Sequence, residues 1–330
     1  MAMRHTTLGS LHVSAQGLGC MGMSEYYGRP DWDRALSAVH RALDLGVTLL
    51  DTADIYGAGH NEVLLGRAIA NRREGVVVAT KFGIDRSAGD HRRRVRGEPD
   101  YVRRCCDASL LRLGVEHIDL YYLHRPPQDV ELAETVQAMS ELVAAGKARH
   151  LGLCEVDADQ LRQAHAVHPI AAVQSEYSLW SREVEAVVPA MAELGVGLVP
   201  YAPLGRGFLA GKVDPGSLGE NDSRRAHPRF QGDHAAANRR LAETVGALAA
   251  QLGVTGAQLA LAWVYARGRQ LGISVAPIPG TSSPRHVAEN VAALTISLDD
   301  AVLARLDRLA REVSGERQGP LQAVRPPAQP

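Results

Sequence analysis

The sequence predicts an α/β fold: a (β/α)8 barrel of the TIM type, with an N-terminal β-hairpin and extra C-terminal helices. Two observations carry that expectation. The first is periodicity. Eight short apolar runs, near residues 18–21, 47–50, 76–79, 118–123, 148–153, 171–173, 195–199 and 273–276, alternate with amphipathic stretches near 31–45, 61–71, 99–113, 130–145, 158–167, 182–194, 236–251, 256–267 and 284–293. Strands alternating with helices read as parallel β/α units. The second is the placement of polar residues: Asp51, Lys81, His124, Gln174 and Tyr201 each stand at the C-terminal end of a run. In an open sheet ordered by sequence, the second and seventh strands lie five spacings of ~4.8 Å apart, near 24 Å. Closing the sheet gathers these ends around one mouth, where barrel enzymes place their chemistry. A doubly wound sheet, whose strand order also brings some strand ends together, is the other topology these runs allow.

The elements follow in order. Residues 4–13 read as a hairpin turning at Leu8-Gly9-Ser10-Leu11 and closing the barrel floor. Gly17, Gly19 and Gly22 in GLGCMG spell a dinucleotide fingerprint, but that fingerprint follows an apolar strand and opens directly into a helix. Here a Tyr/Gly/Pro loop follows at 23–30, so the glycines read as a first strand with little bulk beneath a ligand. Asp31 caps the first helix, and Asp299 caps another near 299–312. Gly46, Gly114, Gly146 and Gly195 follow helical segments, as left-handed C-terminal caps do. Segment 203–233, rich in Gly, Pro and charge, reads as a loop over the mouth. Residues 313–330, with four prolines, read as a flexible or extended tail on one barrel domain spanning 1–330.

Composition excludes several function classes. Hydrophobic residues make up 45% and charged residues 22%, which excludes a disordered chain. A net charge of −1, from 36 basic and 37 acidic residues, offers no electrostatic grip on nucleic acid or an anionic membrane. No apolar run approaches the ~18 residues of a membrane span, and MAMRHTTLGS lacks the apolar stretch of a signal peptide. Cys20, Cys105, Cys106 and Cys154 form no C-x-x-C, which fits a reducing cytoplasm. His165 and His168 stand three apart without a third ligand, so no metal is expected.

The strand-end residues suggest proton transfer. Tyr56 lies on the loop after the second strand, Lys81 ends the third and His124 ends the fourth. A free tyrosine has a pKa near 10, and moving it to about 7 needs roughly 4 kcal/mol. One ammonium ~4 Å away, at an effective dielectric near 20, supplies about that much. Partial burial pushes Lys81 toward neutrality and Asp51 opposes that. His124 can donate to a carbonyl oxygen beside the tyrosine hydroxyl. The basic run HRRRVR (91–96) is either a solvated loop or help with an anionic substrate.

DTADIYGAGHNEVLLGRAI (51–69), ATKFG (79–83), YYLHRPP (121–127), VQSEYSLWSR (173–182), YAPLGRGFLAGK (201–212) and PIPGTSSPRHVAEN (277–290) together resemble the aldo-keto reductases, TIM-barrel carbonyl reductases that use NAD(P)H. RRAHPRFQG (224–232) and the VQSEYSLWSR segment are similar to a bacterial branch resembling perakine reductase and the auxin-induced-protein-like enzymes. The resemblance runs from Arg4 to about Ala310. It implies a catalytic tetrad of Asp51, Tyr56, Lys81 and His124, with Tyr56 as general acid. It implies that Tyr201 stacks on a nicotinamide whose carboxamide Gln174 and Cys154 hold. Ala202, Pro203, Leu204, Gly205, Gly207, Lys212 and Arg229 would line the dinucleotide. Gly280, Thr281, Ser282, Arg285 and His286 would take its adenosine phosphate at a helix start, and Glu289 and Asn290 its adenine.

Two positions depart from the branch. Ser282 and Ser283 stand where relatives carry Lys-Arg for the 2′-phosphate, and Cys154 stands where others carry Ser or Asn. The cofactor expected is therefore NADPH/NADP+, with NADH also accepted. The partner expected is a small carbonyl substrate, met by Tyr26, Tyr27, Trp32, Ile55, Phe82 and Arg125, on a monomer or weak homo-oligomer. Trp180 is a further pocket candidate. A cofactor-binding regulatory subunit, like the potassium-channel β subunits that share this fold, is the second reading. A hydrolase or lyase on the same barrel lacks a nucleophile elbow or metal ligands here.

Overall fold

A computed structural model of the chain describes residues 3–27, 30–87, 89, 93–127, 130–211, 213–219 and 222–317. The hairpin forms as expected, β1 (His5–Leu8) pairing antiparallel with β2 (Leu11–Ser14). It plugs the barrel floor: Leu8, Leu11 and Val13 pack with Leu49, Ala79, Leu120, Tyr122, Ala172, Val199, Ala276 and Ile278, the apolar side chains that fill the lumen.

The parallel strands are β3 (Leu18–Gly19), β4 (Leu49–Asp51), β5 (Val77–Phe82), β8 (Ile118–Leu123), β9 (Ala148–Cys154), β10 (Ile170–Glu176) and β11 (Gly197–Tyr201), neighbours in that order. A short antiparallel pair, β6 (Ile84–Asp85) with β7 (Arg94–Val95), stands on the loop after β5.

The eighth expected strand, at 273–276, is not a ladder strand, and proline chemistry explains why. Pro277 and Pro279 have no N–H to donate. The run still completes the circle. Ala276 and Ile278 donate to the carbonyls of Leu198 and Pro200, each at 3.0 Å. On the other side, the carbonyls of Pro277 and Pro279 accept from Gly17 at 2.9 Å and Gly19 at 3.4 Å. Single parallel bridges, Leu198 to Val275 and Gly19 to Gly280, mark the two seams. The result is the (β/α)8 barrel, and the doubly wound alternative falls away. The glycines of GLGCMG serve this closure: a Cβ on Gly17 would stand 2.8 Å from Ile278 Cγ2, and one on Gly19 2.7 Å from the Ile278 carbonyl.

The helices are α1 (Trp32–Asp44), α2 (His60–Ile69), α3 (Pro99–Leu113), α4 (Leu132–Ala144), α5 (Ala158–Val167), α6 (Val188–Leu194), α7 (Gly232–Gln251), α8 (Gly256–Leu271), α9 (Pro284–Ala292) and α10 (Asp300–Ala310). Asp31 and Asp299 cap α1 and α10 as expected, accepting from Arg34 N at 3.0 Å and Val302 N at 2.8 Å. The helix expected over 182–194 is divided. A 3-10 turn at Glu183–Val187 precedes α6, because Pro189 has no N–H to return to the Glu185 carbonyl. The described residues between 203 and 231 form short 3-10 turns over the mouth, anchored by Phe208 and Phe230 against Trp180.

Of the tail, 313–317 is tied down. Ser314 exchanges hydrogen bonds with Asn238, and Arg317 reaches Glu155 at 2.6 Å. The rest of the expected tail, 318–330, lies outside the described residues. No single helix among the described residues is long and apolar enough to cross a membrane.

Two glycine substitutions should move stability in opposite directions. Gly17→Ala drives a methyl into the closing seam and should cost about 1–3 kcal/mol. Gly246→Ala, in α7 with open space around its Cβ, should gain up to about 1 kcal/mol from helix propensity. Denaturant unfolding of both variants checks the pair.

Candidate active site

The mouth is organised by one buried cation. Lys81 is fully buried near the end of β5, and its ammonium has three donors to place. One goes to Asp51 Oδ1, one to the Thr52 carbonyl at 2.7 Å and one to Tyr56 Oη at 3.4 Å. The second Asp51 oxygen accepts from Gln174 Nε2 at 2.7 Å. One charge therefore ties β4, β5 and β10 together at the C-terminal end of the barrel. Burial opposes the charge on Lys81, but Asp51 and Tyr56 outweigh it and hold its pKa above the usual lysine value.

The Tyr56 loop is held from below. Thr52 and Asp54 donate to the carbonyls of Ala79 and Lys81, at 2.8 and 3.0 Å. The turn that presents Tyr56 then passes through Gly57, Ala58 and Gly59, all at positive φ. Asn61 receives Thr52 Oγ1 at 2.6 Å and donates to the Cys20 carbonyl at 2.8 Å. Glu62, fully buried, accepts from Thr80 Oγ1 and from Arg112 Nε, each at 2.6 Å. The polar motif after β4 is thus fixed to both neighbouring strands and to α3.

His124 follows β8 and stands edge-on to Tyr56, ring centroids 6.0 Å apart. Its Nδ1 is buried without a partner, so Nε2 is the nitrogen left for a ligand. Burial, then the charges of Arg125, Lys81 and Arg93, holds the imidazole well below the usual histidine value and keeps it neutral.

One expectation is corrected here. Lys81 was expected to draw the Tyr56 phenol down toward neutrality. The phenol instead lies well above the ordinary tyrosine value. Burial is the largest cause, and Asp51 adds to it, so the ammonium offsets only part of the rise.

Asp51, Tyr56 and His124 line a cavity of about 570 Å³ that runs across the mouth. Cys154, Gln174, Tyr201, Ala202, Pro203, Leu204, Gly207, Gly280, Thr281, Ser282 and His286 share its wall, as do Tyr26, Tyr27, Ile55 and Arg125. Burial pushes the Cys154 thiol up to about 12. The described residues hold five non-glycine residues at positive φ. Tyr26, Ala202 and Arg206 line the cavity, Ala58 lies in the Tyr56 turn and Glu155 follows Cys154. Such strain collects where geometry is constrained for a ligand.

Other expected residues lie elsewhere. Arg229 is spent on structure, donating to the Trp180 carbonyl at 2.7 Å and Ser181 Oγ at 2.8 Å. Phe82 is fully buried and stacks on Tyr121 at 4.9 Å, on the far side of its strand from the lumen. Trp32 packs edge-on to His60 at 5.1 Å. Trp180 belongs to the aromatic cluster under the 203–233 segment. Gly205 lies behind the wall with Trp180 2.4 Å from any Cβ it might carry. Arg285, Glu289 and Asn290 lie on α9 outside the wall, Arg285 exposed beside His286. Lys212 lies outside the described residues. His165 Nδ1 is engaged by the Ile170 N–H at 3.3 Å.

Sequence reasoning does not single out Arg34, Arg206 or Arg224, which also line the cavity. Arg206 stands between two glycines of PLGRG and Arg224 within RRAHPRFQG. A cation inside a segment expected to cover the mouth was the available signal. Arg206 pairs with Glu176 at 3.2 Å and Arg224 with Asp222 at 2.6 Å. At the far end, Ser283 precedes α9 and its side chain makes no capping hydrogen bond, and the positive end of that helix borders the cavity through Ser282 and His286.

Comparison with known proteins agrees with this geometry. Residues 16–311 match the aldo/keto reductase family. A probable aldo-keto reductase of Glycine max is 45% identical over 297 residues, covering 89% of this chain and 84% of that one. The structure superimposes on a glycerol dehydrogenase of Gluconobacter oxydans with a TM-score of 0.83 at 29% identity, covering 94% and 95% of the two chains. An aldo-keto reductase of Bacillus halodurans, solved in its holo form, gives a TM-score of 0.72 at 26% identity over 98% and 100%. The chain belongs to the aldo/keto reductase family of oxidoreductases.

Proposed function

We propose that this chain reduces an aldehyde or ketone to an alcohol, and runs the reverse, with NADPH preferred and NADH a weaker substitute. The observation that carries the reading is the buried ammonium of Lys81 with all three donors spent, the third on Tyr56 Oη. An oxygen that accepts from Lys81 has its own hydrogen directed elsewhere, and the cavity is the direction left.

The wall fits a nicotinamide dinucleotide. Tyr201 offers a ring face and Gln174 an amide, and Arg206 and Arg224 offer charge to a pyrophosphate. The N-terminus of α9, with Ser282, His286 and Arg34 beside it, suits a terminal phosphate. When bound there, the dinucleotide supplies the hydride that reaches the carbonyl carbon.

This chain's own residues handle the proton. His124, neutral, donates from Nε2 to the carbonyl oxygen and orients it. Tyr56 gives that oxygen its proton, and Lys81 steadies the phenolate that remains. Asp51 keeps Lys81 charged through the cycle. Because burial raises the Tyr56 phenol, the resting enzyme holds the acid form that reduction needs.

Tyr56→Phe should lower kcat/KM for carbonyl reduction by at least ~10²-fold while cofactor binding persists. Steady-state NADPH oxidation and a fluorescence titration on the same sample separate the two. Normal turnover in a folded variant would remove Tyr56 as donor.

The raised phenol sets the pH dependence. Reduction uses the protonated form, which persists above the ordinary value near 10, so its kcat should stay flat from about pH 7 to 9. Alcohol oxidation needs the phenolate and should climb over the same range, by up to about tenfold per unit. A reduction profile falling with an apparent pKa near 7 would contradict this.

NADPH should bind at least about tenfold tighter than NADH, a difference of about 1.4 kcal/mol. Equal affinities by titration would dispose of the preference.

A further inference from the structure

The cations around the cavity divide into two groups. Arg206 and Arg224 each face a carboxylate, Glu176 and Asp222. Arg93 and Arg125, at the His124 end, do not: among the described residues, neither has a carboxylate within ion-pair distance. Arg93 Nη1 donates to Tyr26 Oη at 3.0 Å, and Arg125 Nη1 donates to the His124 carbonyl at 2.7 Å. Both guanidiniums line the cavity and both act on the buried His124 imidazole.

The acids nearby are committed to other partners. Glu25 pairs with Arg86 at 2.9 Å, Asp85 with Arg96 at 3.1 Å, and Glu155 with Arg317 at 2.6 Å. Tyr26, whose hydroxyl Arg93 meets, is itself held at positive φ on the cavity wall. Two positive charges therefore face the same end of the cavity as the proton-transfer pair, and among the described residues neither is ion-paired; Glu155, the acid that Arg125 feels, is already bound by Arg317. Each donates one hydrogen bond to the protein and keeps further donors of its fork for a planar anion.

We infer that the carbonyl compound this site takes carries a carboxylate or phosphate group, received by Arg93 and Arg125. The inference rests on the carbonyl-reductase reading above and adds the charge of the substrate to it. The anion binds away from the reacting carbon and contributes to holding that carbon beside Tyr56 and His124. Arg125 touches substrate directly, and Arg93 both touches it and is positioned by Tyr26.

The test uses the full chain with NADPH and three aldehydes of matched ring: 4-carboxybenzaldehyde, its methyl ester and 4-formylphenyl phosphate. The better anionic aldehyde is expected to exceed the ester at least about tenfold in kcat/KM, mostly through KM, and that advantage should shrink as salt screens it. Whichever of the carboxylate and phosphate probes is faster identifies the anion. Arg93→Gln and Arg125→Gln should each bring the anion-to-ester ratio down by about tenfold, and the Lys variants should recover part of it. A wild-type ratio near one, or Gln variants that keep the wild-type ratio, would overturn the inference while leaving carbonyl reduction intact. If none of the three aldehydes is reduced although NADPH binds, the carbonyl-reductase reading itself fails, and this inference with it.

Discussion

A buried lysine that must keep its charge is the constraint around which this mouth is built. Removing an ammonium from water is tolerated only where every donor finds an acceptor and a counter-charge lies at hand. Lys81 meets both conditions through Asp51, the Thr52 carbonyl and Tyr56. The acceptors are Asp51 at the end of β4 and two residues of the segment that follows it, so the charge pins that segment to β5. Gln174 extends the tie to β10 through the other Asp51 oxygen. The same contacts that satisfy the ammonium also fix where the Tyr56 hydroxyl lies. Stability and chemistry are therefore not separable at this site: weakening the pair would leave a charge stranded and the phenol unplaced.

Closure of the barrel is the second requirement, since the groups that meet at the mouth come from strands far apart in sequence. The seam is made by a segment whose prolines prevent a regular ladder. It succeeds because the remaining amides alternate. Ala276 and Ile278 donate to one neighbour, while Pro277 and Pro279 accept from the glycines of the other. Glycine on the first strand is what permits that approach, as any side chain at Gly17 or Gly19 would meet Ile278. The GLGCMG pattern is thus a packing device at the seam; Gly19 and Gly22 also border the cavity, and a 3-10 turn at Met21–Met23 follows Gly19 where a dinucleotide fingerprint would open into a long helix.

How much of this was legible in the sequence follows from the range of the interactions involved. Asp51, Lys81, His124, Gln174 and Tyr201 were legible because strand ends are a local property, and closure alone brings them together. Caps such as Asp31 and Asp299 were legible for the same reason. Phe82 was misassigned because the side chains of a strand alternate between lumen and helix layer, and its neighbour Lys81 takes the lumen side. Arg229 was misassigned because a conspicuous arginine in a loop over the mouth can equally serve the loop, here through the Trp180 carbonyl. The Tyr56 phenol moves opposite to the direction that one neighbouring ammonium dictates, because burial is the larger cause. Burial depends on every element that packs around the ring, and no short motif encodes it.

The neutrality of His124 completes the division of labour. An imidazolium at this position would add a positive charge in a buried corner that already faces Lys81, Arg93 and Arg125. The corner therefore disfavours a proton on histidine, in keeping with the proposal that tyrosine is the acid. The cations that enforce this are of two kinds. Lys81 is compensated within the protein by Asp51, whereas Arg93 and Arg125 lie at the cavity wall without a carboxylate. An anionic substrate would supply that missing charge, and its arrival would lessen the field that keeps His124 neutral. The field of Lys81 and the burial of the ring would remain, and burial is the larger cause. On the proposed assignment histidine would stay a hydrogen-bond donor and tyrosine the proton source, so a charged substrate is compatible with that proposal.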